Sequence, residues 1–183
     1  MRLLTLISIV LMGCGTEPKD RRVYYDPFAN FDYALQEFIK DYDDHANGLF
    51  SSEILASVTI VPSILVFDAN RQPITGVVGV CRILGTHRSI QIDKTYFDKS
   101  SDIERRGLIW HELGHCVQLR GHDLRKLGDH CYSLMFPNVF PENMLNYCWM
   151  EMELELFEPQ ITLAESHCPI QPDGATACYD KGN

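Results

Sequence analysis

His111, Glu112 and His115 stand at the spacing HExxH, inside the stretch WHELGHCVQLRGHD that covers residues 110–123. On a helix the two histidines fall one turn apart on a single face, so their imidazoles can hold one zinc ion. Glu112 is then beside the metal, placed to take a proton from zinc-bound water. Catalytic zinc takes three protein ligands and leaves a fourth position open, so a third ligand is required. His122 is the first candidate, because it follows directly on Gly121, where the chain can turn back. Asp123 and His130 come next, and Glu142 is the carboxylate alternative. The plain reading of Glu112 is an exposed helix carboxylate, but between two histidines at this spacing the catalytic role is preferred. Met135, in Ser133-Leu134-Met135-Phe136-Pro137, reads as core filler or as a soft floor under the histidines. Cys116 points away from the metal-facing side of His115 and reads as buried or disulfide-bonded.

Positioning these residues falls to the elements around them. Ser101 with Glu104 forms a capping box that opens the motif helix. Leu108, Ile109, Leu113, Cys116 and Val117 give that helix its buried side. Gly107 and Gly114 cost helix propensity, about 1 kcal/mol each, and a close helix–sheet approach is the expected reason to tolerate them. Two ends are open to the helix: a stop near Arg120-Gly121, or a turn near Gln118 with one residue inserted. Upstream, Phe31, Leu35, Phe38, Ile39 and Tyr42 repeat at helical spacing over residues 31–46, with a stop at Asn47-Gly48. Residues 58–61, 64–67, 74–84 and 89–93 carry strand chemistry, with Gly76 and Gly79 marking a bulge. Residues 142–157 form a further helix, with Leu145, Cys148, Trp149, Met152 and Leu156 on one face.

The chain has 183 residues, 45% apolar and 22% charged, which fits one folded domain with a modest tail. Its formal charge of −9 and the lack of a basic run argue against a nucleic-acid partner. The start, Met1-Arg2 followed by an apolar run over residues 3–12, suits a secretory leader and is too short to span a bilayer. It ends in Leu11-Met12-Gly13-Cys14, which resembles the lipobox of bacterial lipoproteins. That resemblance implies cleavage before Cys14, lipidation of Cys14 and attachment at the cell envelope, the outer membrane being favoured by Gly15. Without lipidation the product is secreted. In an oxidising compartment the other cysteines, Cys81, Cys116, Cys131, Cys148, Cys168 and Cys178, suggest disulfides, with Cys168–Cys178 the first pair expected. The resulting division is a leader at 1–13, a tether at 14–22, a catalytic domain at 23–158 and a disulfide-stabilised tail at 159–183.

The HExxH helix, a third histidine after a glycine, the later Met-containing turn and the order helix, strands, motif helix, turn, helix together resemble the metzincin clan of zinc peptidases. The resemblance covers residues 31–157. The clan's HExxHxxGxxH appears here as HExxHxxxxxGH, with Gln118 at the glycine position. It implies an α+β fold with a twisted, mostly parallel sheet and one zinc ion on His111, His115 and His122. It further implies Glu112 as the catalytic acid–base, Met135 beneath the metal and a peptide substrate laid along a strand edge, here Ser89, Ile90, Gln91 and Ile92. The expected protein is a monomeric endopeptidase that acts on peptides or proteins at the cell envelope. The rivals are a gluzincin-type hydrolase with a glutamate ligand, and a non-catalytic zinc-binding envelope lipoprotein.

Overall fold

The computed structural model describes residues 28–47, 51–157 and 168–182. Cys14, the leader and the tether lie outside the described residues. The first helix, α1 (Tyr33–His45), begins where the Asp32 carboxylate accepts from the Ala34 N–H at 3.3 Å. It buries Leu35, Ile39 and Tyr42, as the spacing predicts. Asn47 ends it in the left-handed region, with φ 46°. A single turn, α2 (Ser51–Ile54), leads into β1 (Ser57–Val61). The next strand residues form a short antiparallel pair, β2 (Val66–Phe67) and β3 (Pro73–Ile74). They are followed by β4 (Val77–Leu84), β5 (His87–Asp93) and the short α3 (Lys94–Lys99).

The motif helix is α4 (Asp102–Cys116). Beyond it come the two-residue strands β6 (Lys126–Leu127) and β7 (Cys131–Tyr132), then α5 (Glu142–Phe157) and β8 (Thr176–Lys181). The main sheet runs β1-β5-β4-β8. It is mixed, which corrects the mostly parallel expectation: β1 and β5 are parallel, whereas β5–β4 and β4–β8 are antiparallel. The reason is local. Only Gly85 and Thr86 separate β4 from β5, and a link that short closes a hairpin, because a parallel crossover needs about a dozen residues.

The main core lies between the sheet and the helices and gathers Leu35, Ile39, Tyr42, Ile90, Ile92 and Trp110 with the inner face of α5. The Trp110 Nε1–H donates to the Phe38 carbonyl at 3.0 Å, which satisfies the one polar atom of the largest buried side chain. A second, smaller cluster contains Ile64, Val66, Val77, Val80 and Ala177. Val80 belongs to it while Cys81 belongs to the main core, so the two clusters lie on opposite faces of β4. Three disulfides close the described residues: Cys81–Cys116 joins β4 to the end of α4, Cys131–Cys148 joins β7 to α5, and Cys168–Cys178 forms as expected. Among the described residues no helix is long and apolar enough to cross a membrane.

Candidate metal centre

The capping box forms as predicted: the Ser101 N–H donates to Glu104 Oε2 at 2.8 Å and sets the start of α4. The end of α4 settles the choice left open by the sequence. The helix stops at Cys116, and Leu119 takes the left-handed conformation, φ 58°, in place of Gly121. The Arg120 N–H then reaches back to the Gly114 carbonyl at 3.0 Å. The turn therefore lies near Gln118, and the inserted residue is absorbed before His122 swings under the helix.

That swing brings three imidazoles together. Ring centroids lie 4.5 Å apart for His111 and His115, 4.8 Å for His115 and His122, and 5.4 Å for His111 and His122. The fourth member of the cluster is Asp180, from β8, and the ligand atoms of all four residues lie within 4.8 Å of one another. His111 Nδ1 is 2.6 Å from the Leu134 carbonyl, and His115 Nδ1 is 2.7 Å from the Arg120 carbonyl. A carbonyl only accepts, so each Nδ1 carries the proton and each Nε2 presents a lone pair. These two Nε2 atoms face each other at 2.8 Å, and Asp180 Oδ2 is 2.8 Å from that of His111. His122 Nε2 and both Asp180 oxygens are buried without a hydrogen-bond partner. Two imidazole lone pairs and a buried carboxylate that converge beside a third imidazole fit a cation, and this group can hold a metal ion.

Burial, reinforced by the neighbouring His111, holds His115 well below the usual histidine range, which favours the neutral ring a metal requires. Burial pushes the Asp180 carboxyl upward, but the attraction of His111 and the hydrogen-bonding reach of His111 and His122 outweigh it and keep the group ionised.

A second layer holds the two carbonyl shelves. Glu155, buried in α5, pairs with the Arg120 guanidinium, accepts from Arg125 Nη2 at 3.1 Å, and accepts from Ser133 Oγ at 2.7 Å. Ser133 Oγ in turn accepts from the Met135 N–H at 3.1 Å. One carboxylate thus anchors both the residue whose carbonyl orients His115 and the turn whose Leu134 carbonyl orients His111. Met135 is fully buried, and its carbonyl accepts from the Asp123 N–H at 2.8 Å, next to His122. Gly114 explains how the turn comes so close, since a Cβ there would sit 2.5 Å from Met135 Sδ. Likewise a Cβ on Gly107 would meet Leu145 at 3.2 Å. These two glycines admit Met135 and α5, not the sheet, which corrects the expected helix–sheet approach.

Glu112 is wholly buried, and its carboxyl lies close to Asp180 and to the Cys81 backbone. Burial, reinforced by the nearby charge of Asp180, pushes its carboxyl well above the ordinary range. It fits because Gly79 lacks a side chain: a Cβ there would lie 2.3 Å from Glu112 Oε1. A narrow apolar crevice adjoins the cluster, walled by Leu108, Val139, Phe140 and Leu145 and reaching His111 and Asp180. Tyr96 lines it as well.

The structure therefore brings His111, Glu112, His115 and His122 together. Asp123 instead binds Arg125, donor Nε to Oδ2 at 2.7 Å, and both His130 and Glu142 are exposed. The expected substrate edge is corrected. Ser89, Ile90, Gln91 and Ile92 pair with β1 on one side and with β4 on the other, so β5 has no free side. The outer side of β4 is the position next to Glu112, and β8 fills it. Asp180, Glu155 and Tyr96 were missed by sequence reasoning. Of these only Glu155 carried a signal, an acid at helical spacing within the apolar face of α5. Comparison with protein-family models, with curated proteins and with solved structures gives no match.

Proposed function

We propose that this protein is a zinc-dependent hydrolase of peptide bonds, of metzincin-like design, working in the cell envelope. The observation that carries the reading is the constellation: three imidazoles and the Asp180 carboxylate converge with ligand atoms within 4.8 Å of one another, and the wholly buried Glu112 carboxyl lies within reach of Asp180. Burying a carboxyl beside another carboxylate costs stability, and chemistry explains that cost where packing does not. Zinc, when bound, supplies Lewis-acid polarisation of a carbonyl and a lowered pKa for water. His111, His115 and His122 would hold it, their rings fixed by the Leu134 and Arg120 carbonyls and by the loop tied to Met135. Glu112 accepts the proton of the attacking water and returns it to the leaving amine. The three disulfides suit an exported chain, and Cys14 is the point at which a lipid would attach it.

Asp180 favours a second reading. Four protein ligands are the mark of a structural zinc site, three that of a catalytic one. On that reading the ion only cross-links β8 to α4, and Glu112 has no task.

The deciding experiment uses zinc-loaded full chain carrying Asp180→Ala, with and without Glu112→Ala, against an unfolded protein substrate. Chelator-sensitive hydrolysis that falls by about 10²–10⁴-fold on loss of Glu112, with the metal retained, is the expected result. Equal activity in the two chains, or none in either, refutes the hydrolase.

A further inference from the structure

We propose that the C-terminal segment 168–182 is an internal strap: β8 occupies the peptide-binding side of β4, and its Asp180 fills the fourth metal position until the strap withdraws. The inference rests on the hydrolase reading and adds to it where an extended peptide binds and what keeps the site shut.

Two facts place the strap in a substrate's position. In the antiparallel ladder between β4 and β8, Asp180 stands opposite Gly79, the residue whose bare Cα makes room for the Glu112 carboxylate. A bulge between Val77 and Gly79 shifts the register at that point. The stretch of any chain paired here is therefore brought to both the metal ligands and Glu112. A strand added to β4 gains main-chain hydrogen bonds whatever its sequence, and the register alone selects which of its groups reaches the centre.

Three facts make the strap separable. Cys168–Cys178 ties the segment to itself, while the other two disulfides tie the body to itself, so no covalent bond joins strap to body among the described residues. No residue of 168–182 takes part in the main core; Ala177 and Tyr179 contribute only to the small cluster on the far face of β4. The remaining attachments are non-covalent. They are the β4 ladder, the Gly182 N–H donating to the Gly76 carbonyl at 2.8 Å, a bridge between Lys181 and Asn138, a Gln171 side chain bonded to the Phe67 backbone, and an ion pair from Arg82 to the exposed Asp173. Asp180 is the exception, the one strap residue that reaches the ligand cluster. It acts as the catch, and the metal is what it catches.

The test compares unaltered full chain with Asp180→Ala and with the isosteric Asp180→Asn, all zinc-loaded, by amide hydrogen exchange of β4 and by hydrolysis of an unfolded protein. The strap predicts faster exchange of the β4 amides in both variants. If the open form is a minor population in the unaltered chain, releasing the catch raises hydrolysis by about 10–100-fold. Zinc stays at one per chain on the three histidines. Unchanged exchange with unchanged hydrolysis overturns the strap, and if the unaltered chain is then active through Glu112, the hydrolase survives without it. Faster exchange with no hydrolysis leaves the strap standing and removes the hydrolase. Loss of the metal from both variants overturns the strap in favour of a structural four-ligand site.

Discussion

Glu155→Ala separates a residue that merely stabilises the fold from one that shapes the metal centre. The carboxylate is buried and pairs with the Arg120 guanidinium, itself largely buried, while Arg125 adds a half-exposed and therefore weak contribution. Truncation leaves Arg120 with the Glu155 and Leu156 carbonyls, at 3.3 and 3.1 Å, and with Asp123 at 4.0 Å. Breaking a buried pair costs about 3–5 kcal/mol, and the retained carbonyls put this case at the lower end. Losing only that would be an ordinary stability defect. The further effect is on the shelves, since Arg120 and Ser133 flank the carbonyls that fix the two ring orientations. Removal of such an outer support lowers metal affinity by about 10–100-fold. Urea denaturation of metal-free protein reads the first quantity, and zinc competition against a chromophoric chelator reads the second. Glu155→Gln keeps the contact with Ser133 but loses the charge facing Arg120, and should fall between. If Glu155→Ala loses stability but binds zinc as tightly as the unaltered chain, the two shelves do not depend on this carboxylate and the second layer is wrong.

Gly79→Ala places a Cβ 2.3 Å from Glu112 Oε1 and 2.7 Å from Leu108 Cδ1. Overpacking of about 1–3 kcal/mol follows, and in the Asp180→Ala background hydrolysis falls while zinc stays, which thermal melts and metal analysis will show. Glu112→Gln stabilises metal-free protein at neutral pH. The folded-state pKa of Glu112 is raised, so the folded chain binds more protons than the unfolded one and stability falls as pH rises above the unfolded carboxyl value. The amide removes that loss, so a gain in melting temperature at pH 7 that vanishes in acid is expected; no gain at neutral pH would refute the raised carboxyl pKa. Leu119→Gly relieves a left-handed residue at φ 58°, and Leu119→Val, branched at Cβ, aggravates it by about 1 kcal/mol or more. Opposite shifts in the midpoint of unfolding check the position of the turn.

What the sequence made legible is what short-range chemistry controls. The helical repeat gave α1, the Ser101 and Glu104 pair gave the start of α4, and i to i+4 spacing put His111 and His115 on one face. The near neighbours Cys168 and Cys178 pair for the same reason. Where Gly121 and Leu119 compete for the turn, the local rule fails. Glycine is the cheaper left-handed residue, but packing under α4 fixes the turn two residues earlier, at a cost tertiary contacts must offset.

Asp180 was illegible for a different reason. It is one of 25 acidic residues, in a segment punctuated by Pro169, Pro172 and Gly174, and nothing within several residues of it marks a ligand. Its role comes from pairing with β4 across about a hundred positions of chain, and sequence patterns do not encode register between distant strands. The same long-range pairing inverted the substrate edge. The hairpin between β4 and β5 buries Ser89, Ile90, Gln91 and Ile92 inside the sheet and hands the outer position to β4. Three of the clustered residues and Glu112 can thus be read in or just after one helix, whereas the fourth member of the cluster arrives from β8. A motif that points to a metal site is silent about whether a fourth ligand faces it, and only the pairing of distant strands supplies that.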